Sequence, residues 1–190
     1  MSDVEDGPPV TEAATERVPG ASEASEREAD ADARALASVL RMRILRLCLD
    51  QALTNKEIAE RLGRRPATTF HHVRTLAERG FLAAQPERRG ARGAREVPYR
   101  ATGKSWRMPR VPGTTRVLID TFLSEVAELE DPDAMVVSRL GLRLDEAGYA
   151  ELHRRLGDLL QDLADRPGDP GGTPYSIFLA VHEDVARRET

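Results

Sequence analysis

The sequence contains a single cysteine, Cys48, among 190 residues. One thiol forms no internal disulfide and cannot furnish the thiolate set of a structural zinc site, so a reducing cytoplasm is the expected home. Long apolar runs are also missing. Val117-Leu118-Ile119 and the stretch from Ile177 to Val181 fall far short of the ~20 residues that span a bilayer, and no membrane association is expected. The N-terminus lacks a basic segment followed by an apolar one, so no secretion signal is expected. No nucleophile–base pair, phosphate-cradling glycine loop or carboxylate dyad is recognisable, and the chain is expected to be neither an enzyme nor a cofactor carrier.

What the chain does have is charge, unevenly spread. Its net charge is only -4, yet residues 1–32 hold 2 basic and 10 acidic groups. Residues 33–110 hold 18 basic and 6 acidic groups, and residues 111–190 hold 8 and 16. A strongly basic middle between two acidic flanks points to a polyanionic partner.

The pattern divides the chain in three. Residues 1–32 are acid, Ala, Ser, Gly and Pro with little apolar surface to offset ordering entropy, which predicts a disordered acidic tail. From Ala35, the recurrence of Leu36, Val39, Leu40, Ile44, Leu47 and Cys48 predicts one amphipathic helix, or two joined, to about Asp50. On the apolar side, Cys48 is expected to act as a small buried hydrophobe. Thr54 and Glu57 form a capping box that starts a helix ending at Gly63. Pro66 opens a second helix, which Gly80 ends. Two short helices joined by a glycine-containing turn predict a helix-turn-helix. Beyond Phe81, a hairpin is expected with its tip at residues 87–95, whose arginines have no evident acidic partners in sequence. The whole predicts a winged helix-turn-helix domain over residues 33–103.

Residues 104–190 open with a linker broken by Pro109 and Pro112. An apolar-striped helix follows from Thr114 to Glu130, expected to dimerise. Alternation over Val136–Leu144, a helix capped by Asp145 and a second alternating run from Tyr175 to Val181 predict a strand–helix–strand unit. Two strands alone are marginal, so this unit should lean on another surface or a second subunit. The expected fold class is α+β, mostly helical.

Within the helix from Pro66, the spacing of Thr69, Val73 and Leu76 turns these three to the core. Thr68, Phe70, His71, Arg74 and Thr75 are then left outward, where a recognition helix would present them to the major groove. Arg74 suits guanine or a phosphate, Thr68 a phosphate or a thymine methyl, and His71 a base edge. Phe70 is either a methyl reader or a residue tucked under the wing, and His72 is expected to be half-buried packing. Arg64 and Arg65 flank the helix start and suit phosphates. Arg88, Arg89, Arg92 and Arg95 would follow the phosphates or enter the minor groove.

Three blocks carry a family resemblance: Ala35 to Leu45, Leu53 to Gly63, and Pro66 to Leu76. In this order they resemble the winged-helix domain of ArsR-type bacterial transcription regulators. The resemblance implies a homodimer that binds double-stranded DNA at a palindromic operator, usually as a repressor, and releases it when an effector binds. One departure is Arg65, where the family often has Ser or Thr; the missing side-chain cap costs ~1 kcal/mol. The metal sites of such relatives are not expected here. Cys48 is alone, the helix from Thr114 offers carboxylates (Asp120, Glu125, Glu128) without histidine, and adjacent His71 and His72 diverge by about 100° on a helix. A small-molecule effector is the remaining possibility. The competing class is a winged helix that binds protein, against which the basic middle segment argues.

Overall fold

The computed structural model describes residues 19–90, 93–109 and 113–188. Helix α1 spans Pro19–Leu36 and α2 spans Val39–Leu47. Of the two expected alternatives, the joined pair forms, because Ser38 is extended and its hydroxyl faces the Arg41 amide as the cap of α2. The Arg41 guanidinium reaches back to the Ala35 and Arg34 carbonyls, closing the C-terminal end of α1.

The predicted disorder of residues 1–32 is corrected over residues 19–32, which lie within α1. The segment is rich in Ala, Glu and Arg, all good helix formers, with Glu23–Arg27 and Asp30–Arg34 pairs one turn apart. What holds it is tertiary. Ala35 and Leu36 enter the core, and Asp32 is buried against Arg79 and Lys104, 2.6 Å from each.

Short strand β1 (Leu53–Thr54) leads into α3 (Asn55–Arg61), and α4 runs Pro66–Glu78. Strands β2 (Leu82–Ala84) and β5 (Pro98–Ala101) join β1 in an antiparallel sheet of order β1-β5-β2, with Leu53 opposite Tyr99 and Leu82 opposite Ala101. Strands β3 (Arg88–Arg89) and β4 (Arg95–Glu96) form the two-stranded wing. Gly63 and Gly80 take positive φ (58° and 71°), the left-handed caps that stop α3 and α4. The core gathers Ile44, Leu45 and Cys48 from α2, Ile58 from α3, Val73 and Leu76 from α4, and Phe81 and Leu82 beyond it. Burial pushes the Cys48 thiol up to about 11, so it stays protonated and packs as an apolar side chain.

After α5 (Lys104–Arg107), α6 spans Thr114–Val126, shorter than the 114–130 stripe, and packs on α2. Arg46 pairs with Glu125 at 2.7 Å and Arg43 with Glu128 at 2.5 Å across this contact. Helix α7 (Glu146–Asp165) begins at the predicted Asp145 cap, whose carboxylate accepts the Gly148 N–H at 2.8 Å. The two flanking strands do not form. Residues 136–144 and 175–181 belong to no β-ladder among the described residues. Their alternation is real, but a strand needs a neighbour for its backbone groups, and here neither finds one. Leu142, Arg143 and Leu144 at the end of the first segment line a cleft with Glu183, Asp184, Arg187 and Arg188 beyond the second. Phe178 instead stacks on Phe122 of α6, ring centres 4.6 Å apart. No described helix is long and apolar enough to cross a membrane.

Candidate nucleic-acid interface

Helix α4 is seated by the residues its spacing picked out: Thr69, Val73 and Leu76 are its buried set. Seating is completed by a contact the periodicity does not announce. The Asn55 side-chain amide donates to the Pro66 carbonyl at 2.8 Å, and the Thr69 hydroxyl lies 2.8 Å from Asn55 Oδ1. Asn55 at the start of α3 thereby locks the start of α4 and sets the angle between the two helices. A buried hydroxyl paired with a side-chain amide resists rotation more than apolar contact does.

With that face fixed, Thr68, Phe70, His71 and Arg74 are exposed on the opposite side. Phe70 retains 55% of its surface exposed, which removes the option of a ring tucked beneath the wing. Thr75 departs from expectation: it is half-buried, and its hydroxyl donates to the His71 carbonyl at 3.0 Å. Arg74 is exposed but engaged, its Nε 2.7 Å from Glu78 one turn along. His72 is half-buried as expected. Burial first, then Arg41 and His71, push its imidazole below the ordinary value, and its Nδ1 is buried without a hydrogen-bond partner among the described residues. It stays neutral near pH 7.

The helix start carries Arg64 and Arg65, both exposed and without an ion pair among the described residues. Arg65 is the N-cap of α4 and supplies no side-chain cap, so the first-turn amides keep their positive end for an external anion. A chain of contacts brings the wing to this end. Arg88 of β3 pairs at 2.5 Å with Glu57, the capping-box residue of α3, while Asn55 of the same turn holds Pro66. The Thr54 N–H donates to Glu57 and holds its carboxylate below the usual range, aided by Arg88 against the opposing effect of burial. The start of α3, the start of α4 and β3 therefore share one side of the domain.

The wing arginines are not free of acidic partners, as their sequence neighbourhood suggested. Arg88 has Glu57, and Arg95 has Glu87 at 3.4 Å. Arg89 is exposed and sits directly opposite Arg95 in the β3–β4 register. Like charges facing each other across a ladder repel, and a polyanion laid over the hairpin would relieve this. Arg92 lies outside the described residues.

Much of the basic surplus is spent inside the molecule. Arg41 caps α1, Arg46 pairs with Glu125 of α6 and Arg43 with Glu128 just beyond it, and Arg79 pairs with Asp32 and Glu28. Burial raises the Asp32 carboxyl, but hydrogen bonds from Lys104 and Arg79 outweigh it and hold the group below its ordinary value. Lys104 also sits 4.7 Å over the Phe81 ring and donates to the Arg79 carbonyl. Apart from the Arg41 cap, these partners are not visible from spacing, because each joins residues remote in the chain. No group of His, Cys, Asp and Glu able to hold a metal ion occurs among the described residues.

Two helices locked at a fixed angle, with a two-stranded wing brought beside the second, define the class: a winged helix-turn-helix protein, the architecture of DNA-binding transcription regulators. Residues 48–86, from the end of α2 through α3 and α4 to β2, match the family model of the IclR helix-turn-helix domain. No curated protein matches the chain. Among solved structures, it is similar to reduced HlyU from Vibrio cholerae, at 21% identity over 57% of this chain and 97% of that one, with a TM-score of 0.36. It is also similar to the homodimeric winged helix-turn-helix domain of Mb0332 from Mycobacterium bovis, described as a possible ArsR-family regulator. That match has 18% identity over 60% and 93% of the two chains and a TM-score of 0.41. A third is an S. aureus MepR mutant bound to an oligodeoxyribonucleotide, at 17% identity over 75% and 91%, with a TM-score of 0.33.

Proposed function

We propose that this chain is an ArsR-type, homodimeric, sequence-specific transcription regulator that represses from a palindromic operator in the cytoplasm. Residues 33–103 read DNA, and residues 104–190 supply the dimer contact and the effector-responsive part. The observation that carries the reading is the fixed outward face of α4, held by Thr69, Val73, Leu76 and Asn55, beside exposed Arg64 and Arg65. Thr68, Phe70, His71 and Arg74 lie along the major groove, where Phe70 packs on a thymine methyl and Arg74 takes a base edge or a phosphate. Arg64 and Arg65 take phosphates at the helix start, and Arg88, Arg89, Arg92 and Arg95 track the adjacent backbone. The hydroxyl of Thr75 is already bonded, so its part in the interface is packing. Homodimerisation is supported by apolar side chains left exposed on and beyond α6, Leu123 and Leu129 among them.

Selection of bound duplexes from random oligomers tests this reading. An enriched inverted repeat with half-sites about one helical turn apart is the expected result. Recovery of no motif at moderate salt would leave only charge-driven binding and refute a sequence-reading role.

A further inference from the structure

A half-open cavity of about 670 Å³ lies between the helix-turn-helix domain and the C-terminal segments, within the size range of small-molecule sites, with Leu49, Trp106 and Leu118 about half exposed on its rim. Leu45 of α2 and Leu49 just beyond it, Leu118 and Phe122 of α6, Gly157 and Leu160 of α7 and Phe178 contribute to its wall. Two features set it apart from a packing fault. Aromatic side chains are only 4% of the sequence, yet the sole tryptophan, Trp106, joins Phe122 and Phe178 in this one lining. The second is Gly157. It stands well inside α7 where a glycine is costly, it has no positive φ, and a Cβ placed on it would meet nothing within 4 Å. Neither backbone conformation nor packing within the chain calls for glycine there, and its exposed position leaves a bare stretch of helix on the cavity wall.

The polar groups indicate what that something is. Arg46 and Glu125 meet at 2.7 Å on the wall and cancel each other's charge, so no net charge awaits a charged ligand. The Trp106 indole N–H donates to the Gln161 side chain at 3.1 Å, and the Gln161 amide donates onward to Asp165 at 2.9 Å, so nearby Ser105 and Ser176 are the polar anchors. We propose that this cavity binds a neutral, flat, mainly aromatic small molecule with one or two hydrogen-bonding groups, seated against Gly157 between Trp106 and the Phe122–Phe178 stack. Because α2 forms one wall and packs on α4, such a ligand is placed to alter how the recognition helix is held. That regulatory consequence rests on the DNA-binding reading, whereas occupancy of the cavity does not.

The test uses the full chain without DNA and the neutral dye N-phenylnaphthylamine, with Trp106 as the built-in reporter. Saturable binding of one dye per chain with quenching of Trp106 is expected. Gly157→Ala should retain it, whereas Gly157→Phe, which projects a ring into the cavity, should weaken it by about tenfold or more. Circular dichroism and sedimentation of the Phe variant should match the parent; if that variant fails to fold, Gly157→Leu carries the same comparison. Three results would overturn the proposal. They are equal dye binding by parent and Phe variant, dye binding that leaves Trp106 unquenched, and loss of self-association in the Phe variant, which would make the cavity the seat of a second copy. A chain that binds dye but no operator would leave this inference standing and remove the DNA-binding one.

Discussion

Arg74 shows how a single side chain can be well placed and still restrained. Its outward position follows from spacing alone, but its pairing with Glu78 means that a base or phosphate must compete with an exposed carboxylate one turn away. Exposed pairs of this kind are weak, about 0.3–0.5 kcal/mol, so DNA wins the competition. Arg74→Ala is therefore expected to lower operator affinity by about 1–3 kcal/mol and random-duplex affinity by less. Glu78→Gln should raise affinity for both duplexes, as measured by fluorescence anisotropy. Asn55 is the residue whose importance spacing concealed: it reads as one of the first residues of a capped helix, and only the fold gives it Pro66 and Thr69 as partners. Spacing leaves Phe70 open between two roles and turns Thr75 outward, since exposure and hydroxyl partners depend on how the neighbouring turn packs.

At the scale of elements, the wing and α1 behave oppositely to their composition. The wing looked like an unneutralised arginine cluster, yet Arg88 and Arg95 have carboxylates within reach. Phosphate binding must displace these, so neutralising Arg88, Arg89 and Arg95 together should flatten the slope of log affinity against log salt by about 2–3, near 0.9 for each phosphate no longer neutralised. An unchanged slope would take the hairpin off the backbone. Helix α1 looked like a solvated tail, yet its docking depends on the ionised Asp32 beside Arg79 and Lys104. The folded carboxyl lies below its ordinary value near 3.8, so the stabilisation is complete above that value and is lost as pH falls through the lower, folded one. Docking should hold from pH 5 to 8, weaken only as pH falls below about 3.8 and be lost as pH falls through the lower, folded value, where pepsin cleavage within residues 19–36 reports it. Asp32→Asn should loosen α1 at neutral pH by about 1–3 kcal/mol, read by amide exchange.

For the whole molecule, the acidic flanks and the basic middle are partners as well as contrasts. Acidic groups of α1, α6 and the residues just beyond α6 neutralise Arg79, Arg46 and Arg43, while Arg64 and Arg65 at the start of α4 and Arg89 on the wing stay exposed. The C-terminal third is where a single chain falls short of burying its own surface: Val136 is 99% exposed, Tyr175 88% and Leu140 79%. Exposed apolar surface on this scale is costly in water, and a second subunit is the proposed cover. Leu123→Arg, at an exposed apolar position of α6, should shift the protein toward monomer in sedimentation equilibrium and weaken operator binding in parallel. Unchanged mass would move the dimer contact off α6.

Local physical chemistry acting on neighbouring residues was sufficient for the helix-turn-helix. The Thr54–Glu57 capping box, Pro66, the stops at Gly63 and Gly80 and the buried face of α4 are all settled within a turn or two of chain. The order in α1, the unpaired state of residues 136–144 and 175–181, the Asn55 lock and the cavity beside Gly157 were decided only by folding. Each depends on which distant surface lies opposite, because a buried charge needs its counterion, a strand its neighbour and a cavity all of its walls.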